Sequence, residues 1–340
     1  MANSITLAKN YVNLLDEVYK SASVTADLTT DAGMMRAGAN AREILYPQIS
    51  VSGLGDYSRT SGYTDGAVDV VWKSAEFNYD RGTKISVDTM DDQETFNIAF
   101  GRAGAELQRT KVAPEADAFT FAQIAGTDGI SKADPATYSD ASEFLAALLA
   151  AKNKMDEDEV PEEGRMLYAT PTLLNSVMAL DTTKSREVLN AFAVRKKVPQ
   201  SRFYTAIELL DGRSSGEELG HYRKYPKHYE KCSSTDAGAL KVVSTTPGSG
   251  EIALASVAPT VDPNYTPAAN DYVREVVGKE INFMIIHKPA IIKFDKHVVG
   301  NVIAPADNPN SDAYITKYRK YGIVDVYKNK AAGIYLSHKA

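Results

Sequence analysis

The sequence predicts a mixed α+β fold, drawn out into several lobes. Three observations predict it. Strand-like alternation flanks a glycine- and tyrosine-rich stretch, Gly53 to Gly66 (GLGDYSRTSGYTDG), as in a long β-hairpin. A one-sided helical stripe, Phe96, Phe100, Ala103 and Leu107, follows the capping pair Asp91 and Glu94. Beyond residue 136, helical and strand-like segments alternate, as in an α/β region.

The elements follow in order. Leu7, Tyr11, Leu14, Val18 and Ala22 recur at helical spacing, which predicts a short amphipathic helix. Residues 25–41 are rich in Ala, Gly and Thr and poor in large apolar groups, so they read as an arm that lies on something else. Ile49 and Val51 alternate with polar neighbours, and Val68, Val70 and Trp72 resume the alternation after the glycine-rich tip. A second hairpin is expected, with Phe77 and Tyr79 on one side, Ile85 and Val87 on the other, and Arg81-Gly82 at the turn. Pro114 should kink or restart the long helix, whose pattern resumes at Ala116, Phe119 and Ile124. Roughly thirty helical residues would span about 45 Å.

The next half begins with a helix carrying Phe144, Leu148 and Leu149, and an acidic loop at 156–163. A strand from Arg165 to Ala169 leads to Thr170-Pro171, an N-cap with proline at the first helical position. Strands are expected at 192–198 and 203–209. Residues 211–271 shift to Gly, Ser, Thr, Pro and Tyr and read as an insertion-like region, with strand pieces at 240–243 and 252–257. Ile281 to Ile286 and Ala290 to Phe294 read as strands of a buried sheet. A polar loop at 305–311, a short helix, and a hairpin of Ile323 to Tyr327 with Gly333 to Leu336 close the chain.

Composition excludes several classes. Of 340 residues, 44% are apolar, enough for a packed core, and the net charge of −6 argues against a surface built wholly for nucleic acid. Cys232 is the sole cysteine, so no intrachain disulfide can form. Lys9, Asp16, Glu17 and Lys20 interrupt the N-terminal apolar stretches, unlike a signal peptide. Apolar runs such as Ile281 to His287 are too short to cross a bilayer, so the expectation is a soluble, cytosolic protein without a membrane partner.

No convergent chemistry emerges: no catalytic, cofactor-binding or metal-binding residues are assigned, and no enzyme activity is expected. The glycine cluster lacks a G-K-[ST] ending. Asp56-x-Ser58-x-Thr60 faintly resembles a calcium loop, but its glycine is displaced to Gly62 and the terminal Glu is missing. His221, His228 and Cys232 would leave a zinc site one ligand short; the plainer reading is a polar surface loop. Residues 221–231 (HYRKYPKHYEK) and 317–330 (KYRKYGIVDVYKNK) interleave basic and aromatic side chains, the composition of a nucleic-acid platform but also of a half-exposed β edge.

Taken together, MANSITLAKNYVNLLDEVYKSASVTADL, GLGDYSRTSGYTDG, FNYDRGTKISVDTMDDQETFNIAFGR, VPQSRFYTAI, EINFMIIHKPAIIK and YGIVDVYKNKAAGIYLSHK resemble major capsid proteins of tailed bacteriophages of Gram-positive bacteria. The resemblance covers most of the chain and is weakest from Asp211 to Asp271. It implies the Hong Kong 97-type capsid fold, with an N-terminal arm at 1–42 and an extended loop at 43–90. A peripheral domain would combine 91–135, including the spine helix from about Asp91 to Ala125, with 296–340. An axial domain would occupy 136–295. It further implies pentamers and hexamers of this chain closing into an icosahedral virion shell around double-stranded DNA, held without sequence specificity at the inner surface. Assembly would take place in the bacterial cytoplasm with scaffolding and portal proteins. Met1 leads almost directly into the arm, so a separate scaffold protein is expected. The tip contains no lysine, so the shell should be non-covalent.

Two alternatives from other classes are an encapsulin-type cellular nanocompartment and a β-rich monomeric binding module. Leu54, Tyr57, Arg59 and Tyr63 at the hairpin tip are residue types that anchor interfaces, and we expect them between subunits. Phe96, Phe100 and Leu107 should form the core side of the spine helix, against the last strands.

Overall fold

The computed structural model describes residues 23–30, 36–37, 43–60, 62–63, 65–90, 104, 106–180, 182–213, 221–235, 238–257 and 266–339. Its main elements begin with β1 (Glu43–Val51), β2 (Val68–Glu76) and β3 (Tyr79–Asp88). Then come α1 (Ala113–Ala125), α2 (Ala141–Glu157), β4 (Arg165–Ala169), α3 (Pro171–Ala179), α4 (Thr183–Asn190) and β5 (Val194–Lys197). The second half supplies β6 (His228–Lys231), β7 (Ala239–Val243), β8 (Tyr272–Val276), β9 (Ile281–His287), β10 (Ile291–Ile303), β11 (Ala313–Val326) and β12 (Ile334–His338). The α+β class is as expected. The described residues of 25–108 and 289–327 form one compact unit; Ser23, Val24 and those of 109–288 and 328–340 form a second.

In the first unit, β11 is the central strand of an antiparallel sheet in the order β10-β11-β3. The β1–β2 hairpin is as predicted, and its base buries Ile44, Tyr46 and Ala75 in a core with Ile292 and Ile323. Tyr46 meets Tyr327 edge-on, ring centroids 4.9 Å apart.

Three expectations are corrected here. The second hairpin is instead one unbroken strand, β3, paired with β11 from Ala313↔Asp88 to Gly322↔Tyr79. Gly82 makes no turn: a Cβ there would lie 2.8 Å from the Tyr318 carbonyl oxygen, so glycine permits a close backbone approach. The short helix after the polar loop is absent, because that segment runs directly into the 14-residue strand β11. The terminal hairpin is also absent: β11 pairs with β10 and β3, while β12 pairs with β9. A 3-10 segment, Lys328–Gly333, separates them.

The second unit contains a five-stranded mixed sheet in the order Ser131–Lys132, β12, β9, β4, β5. Successive strand residues point to opposite faces. Leu167, Ala169, Phe283 and Ile285 join Phe144, Leu148, Met155 and Val177 of α2 and α3 in one core. Tyr168 instead meets Phe121 of α1, which also contacts Phe203. Covered on both sides, β9 can be the continuous apolar run read from the sequence. Pro114 sits in the first turn of α1, which follows a π-helical turn, Gln108–Val112. Buried Arg165 holds the acidic loop through Asp156 at 2.7 Å and the Pro161 carbonyl at 3.0 Å. The insertion-like region has its own small sheet, in the order β6, β8, β7, Glu251–Ala253, over Tyr229, Val242, Val257 and Val273.

Candidate assembly surfaces

Beyond the residues buried at its base, the hairpin keeps several apolar side chains exposed. Cross-strand partners share a face. Pairs Pro47↔Trp72, Ile49↔Val70 and Val51↔Val68 therefore line one side, while Ser50↔Asp69 and Tyr46↔Lys73 line the other. On the apolar side Ile49 is 62% exposed, Val70 54%, Val51 69% and Val68 64%. Their alternation was visible in the sequence; what was not visible was that, among the described residues, this side stays largely exposed.

Beyond these pairs, Ser52 accepts from and donates to Ala67 across the root of the tip. Ser58 and Gly62 exchange backbone hydrogen bonds of 3.0 and 2.8 Å, and Gly62 has φ +79°, a conformation that favours glycine. This small turn brings Tyr57 and Tyr63 together, centroids 4.9 Å apart, with Arg59 between them in sequence. Leu54 stands apart and fully exposed. All four predicted tip residues are thus exposed, and two of them touch each other.

Residues 23–30 of the arm are better held than its composition suggested. In the first unit, Leu28 is completely buried and Thr30 bonds to the backbone of Ile291 and Lys293. Lys293, only 5% exposed, donates to the Thr25 carbonyl at 2.9 Å and hydroxyl at 2.6 Å. In the second unit, buried Asp117 accepts from the Ser23 hydroxyl at 2.7 Å, the Val24 amide at 2.9 Å and Arg202 at 3.1 Å. Polar clamps of this kind leave no hydrophobic period to read.

Phe96 and Phe100 lie outside the described residues; Leu107 is half-buried. The two basic-aromatic segments part company. Residues 317–330 lie largely in β11, where buried Lys320 pairs with Asp295 and Arg319 grips Asp80 with two bonds of 2.8 and 2.6 Å. In 221–231, Tyr229 is core, and Arg223 and Lys227 pair with Glu208 and Glu275. Among the described residues no group of three or more His, Cys, Asp or Glu is placed to hold a metal, and no helix is long and apolar enough to cross a membrane.

No protein-family model matches the chain, and no curated protein does. Solved structures do. The capsid structure of the cyanophage P-SCSP1u superposes with a TM-score of 0.52 at 13% identity, over 94% of this chain and 88% of that one. A structure from Mycobacterium phage Che8 gives 0.50 at 13% identity, over 93% and 90%. The virus-like particle from Pyrococcus furiosus gives 0.50 at 8% identity, over 97% and 99%. The fold is therefore the Hong Kong 97-type capsid fold expected from the sequence, at identities too low to speak for more than the fold.

Proposed function

We propose that this chain is the structural subunit of a bacteriophage capsid, assembling with copies of itself into pentamers and hexamers of a closed icosahedral shell. The observation that carries the reading is the exposed apolar face of β1 and β2 on a chain that follows a capsid fold over 94% of its length. Large exposed apolar faces mark association surfaces, and a second copy of this chain is the partner a shell requires. In this reading the exposed tip residues Leu54, Tyr57, Arg59 and Tyr63 also meet neighbouring copies. Scaffolding and portal proteins, packaged double-stranded DNA and assembly in the host cytoplasm belong to this reading.

A cellular nanocompartment is the second reading, favoured by the likeness to the Pyrococcus furiosus particle. Gel filtration of the purified chain should give particles far larger than a 36.9 kDa monomer. Nuclease-protected DNA inside particles from infected cells supports the phage capsid; a protein cargo without nucleic acid supports the nanocompartment. A monomer at all concentrations would overturn both and favour a β-rich binding module.

A further inference from the structure

The second unit contains an open cleft of about 560 Å³, lined by residues from three separate stretches of chain. Thr110, Lys111 and Pro114 come from the π-helical turn and the start of α1, Ser201, Arg202 and Tyr204 from the segment after β5, and His221 to Lys224 from the basic-aromatic segment. Four lining side chains carry fixed positive charge, and no carboxylate is among the described residues that line the cleft. Thr110, Ser201 and Tyr204 add hydroxyls. His221 and Tyr222 stack, rings 6.2 Å apart and 26° from parallel.

We propose that this cleft binds phosphate groups. Two of its cations are paired with acids that are not among the lining residues, which offsets part of their charge: Asp117 meets Arg202 at 3.1 Å, and Glu208 meets Arg223 at 2.7 Å. A guanidinium paired with a carboxylate is held in a fixed plane, an orientation that suits planar recognition of phosphate oxygens. Lys111 and Lys224 are exposed and add charge to the lining. Burial pushes the Tyr222 hydroxyl up to about 12, so it stays protonated; it donates to the Ser201 carbonyl at 2.9 Å and holds that wall in place. The stacked His221 and Tyr222 offer an aromatic surface beside the cations, which suits a base attached to the phosphate. The ligand is thus a phosphodiester of nucleic acid or a free polyphosphate; the two share this chemistry. The capsid reading does not enter this argument, and the site can be tested whether or not the chain assembles.

The test is titration of the purified full-length chain with a fluorescent oligothymidylate and, separately, with inorganic pyrophosphate. Two double variants are compared: Lys111→Glu with Lys224→Glu, and a charge-matched control, Lys184→Glu with Lys197→Glu, whose lysines are exposed outside the cleft in the same unit. All four are surface positions, and circular dichroism verifies that each variant is folded. The cleft variant should bind at least about tenfold more weakly, with a shallower salt dependence, while the control stays close to the parent. Binding of the oligonucleotide alone assigns the site to nucleic acid; binding of pyrophosphate alone assigns it to free polyphosphate. No saturable binding of either probe, or equal losses in both variants, would overturn the proposal.

Discussion

The ammonium of Lys293 reaches both oxygens of Thr25, at 2.9 Å to the carbonyl and 2.6 Å to the hydroxyl, in a site closed to solvent. A lysine is costly to bury unless its donors are satisfied. Here Thr25 satisfies it, and the lysine in turn satisfies a carbonyl at the first turn of the 3-10 helix Ala26–Leu28.

Lys293→Met keeps the apolar stem but removes the donors. It should destabilise the first unit by about 1.5–3 kcal/mol, the contribution of hydrogen bonds made by a charged group, while the Thr25 carbonyl keeps its bond from the Leu28 amide. It should also open residues 25–30 to protease. Thermal unfolding with timed proteolysis checks both; a variant as stable and as resistant as the parent would show that the clamp is idle.

Gly82→Ala should lower the melting temperature, because its Cβ would meet the Tyr318 carbonyl of the central strand at 2.8 Å. Overpacking of this kind costs about 1–3 kcal/mol. Gly53→Ala, with nothing within 4 Å of its Cβ, is the neutral comparison. Equal melting temperatures for the two variants would refute the close-approach reading.

Val70→Asp places a charge in the middle of the apolar hairpin face, opposite Ile49. Since Val70 is exposed in the subunit, its fold and melting temperature should stay near those of the parent, within about 0.5 kcal/mol. Assembly should fail. Normal particles from this variant, sized by light scattering, would show that the face is not an association surface.

Stability should fall as pH drops through the ordinary histidine range, and His287 should contribute to the fall. Burial chiefly, then the charges of Lys330 and Arg165, lower its pKa from 6.5, while a backbone hydrogen bond to Glu163 opposes them. The unfolded chain therefore binds a proton at a pH where the folded chain does not, so this contribution is present above pH 6.5 and lost below it. His287→Gln should flatten that part of the melting-temperature profile. An unchanged slope would remove His287 as a cause.

Local patterns in the sequence were read correctly where one segment decides its own structure. Alternation around Gly53 to Gly66 gave the β1–β2 hairpin, and Thr170-Pro171 gave the start of α3. The misreadings fall where pairing is decided at a distance. Gly82 beside Arg81 resembles a turn until β11 is laid against it. β11 itself has no clean period of two: Ile315 and Thr316 are both buried, and so are Gly322, Ile323 and Val324. The candidate site was half legible. Tyr57 and Tyr63 could be named from composition, but the uncovered side of Ile49 and Val70 needed the register. The cleft needed three distant stretches brought together; only the basic-aromatic segment hinted at it.

Imaging the purified chain by negative-stain electron microscopy, beside a deletion of residues 55–65, tests the capsid reading most directly. The parent should form capsomers or closed shells of uniform diameter, the shells with icosahedral outlines. The deletion removes Tyr57, Arg59 and Tyr63 while sparing every β1–β2 pair, so it should remain folded yet form no regular shell. Fields of dispersed single subunits from the parent at high concentration, or normal-sized shells from the deletion, would contradict the account.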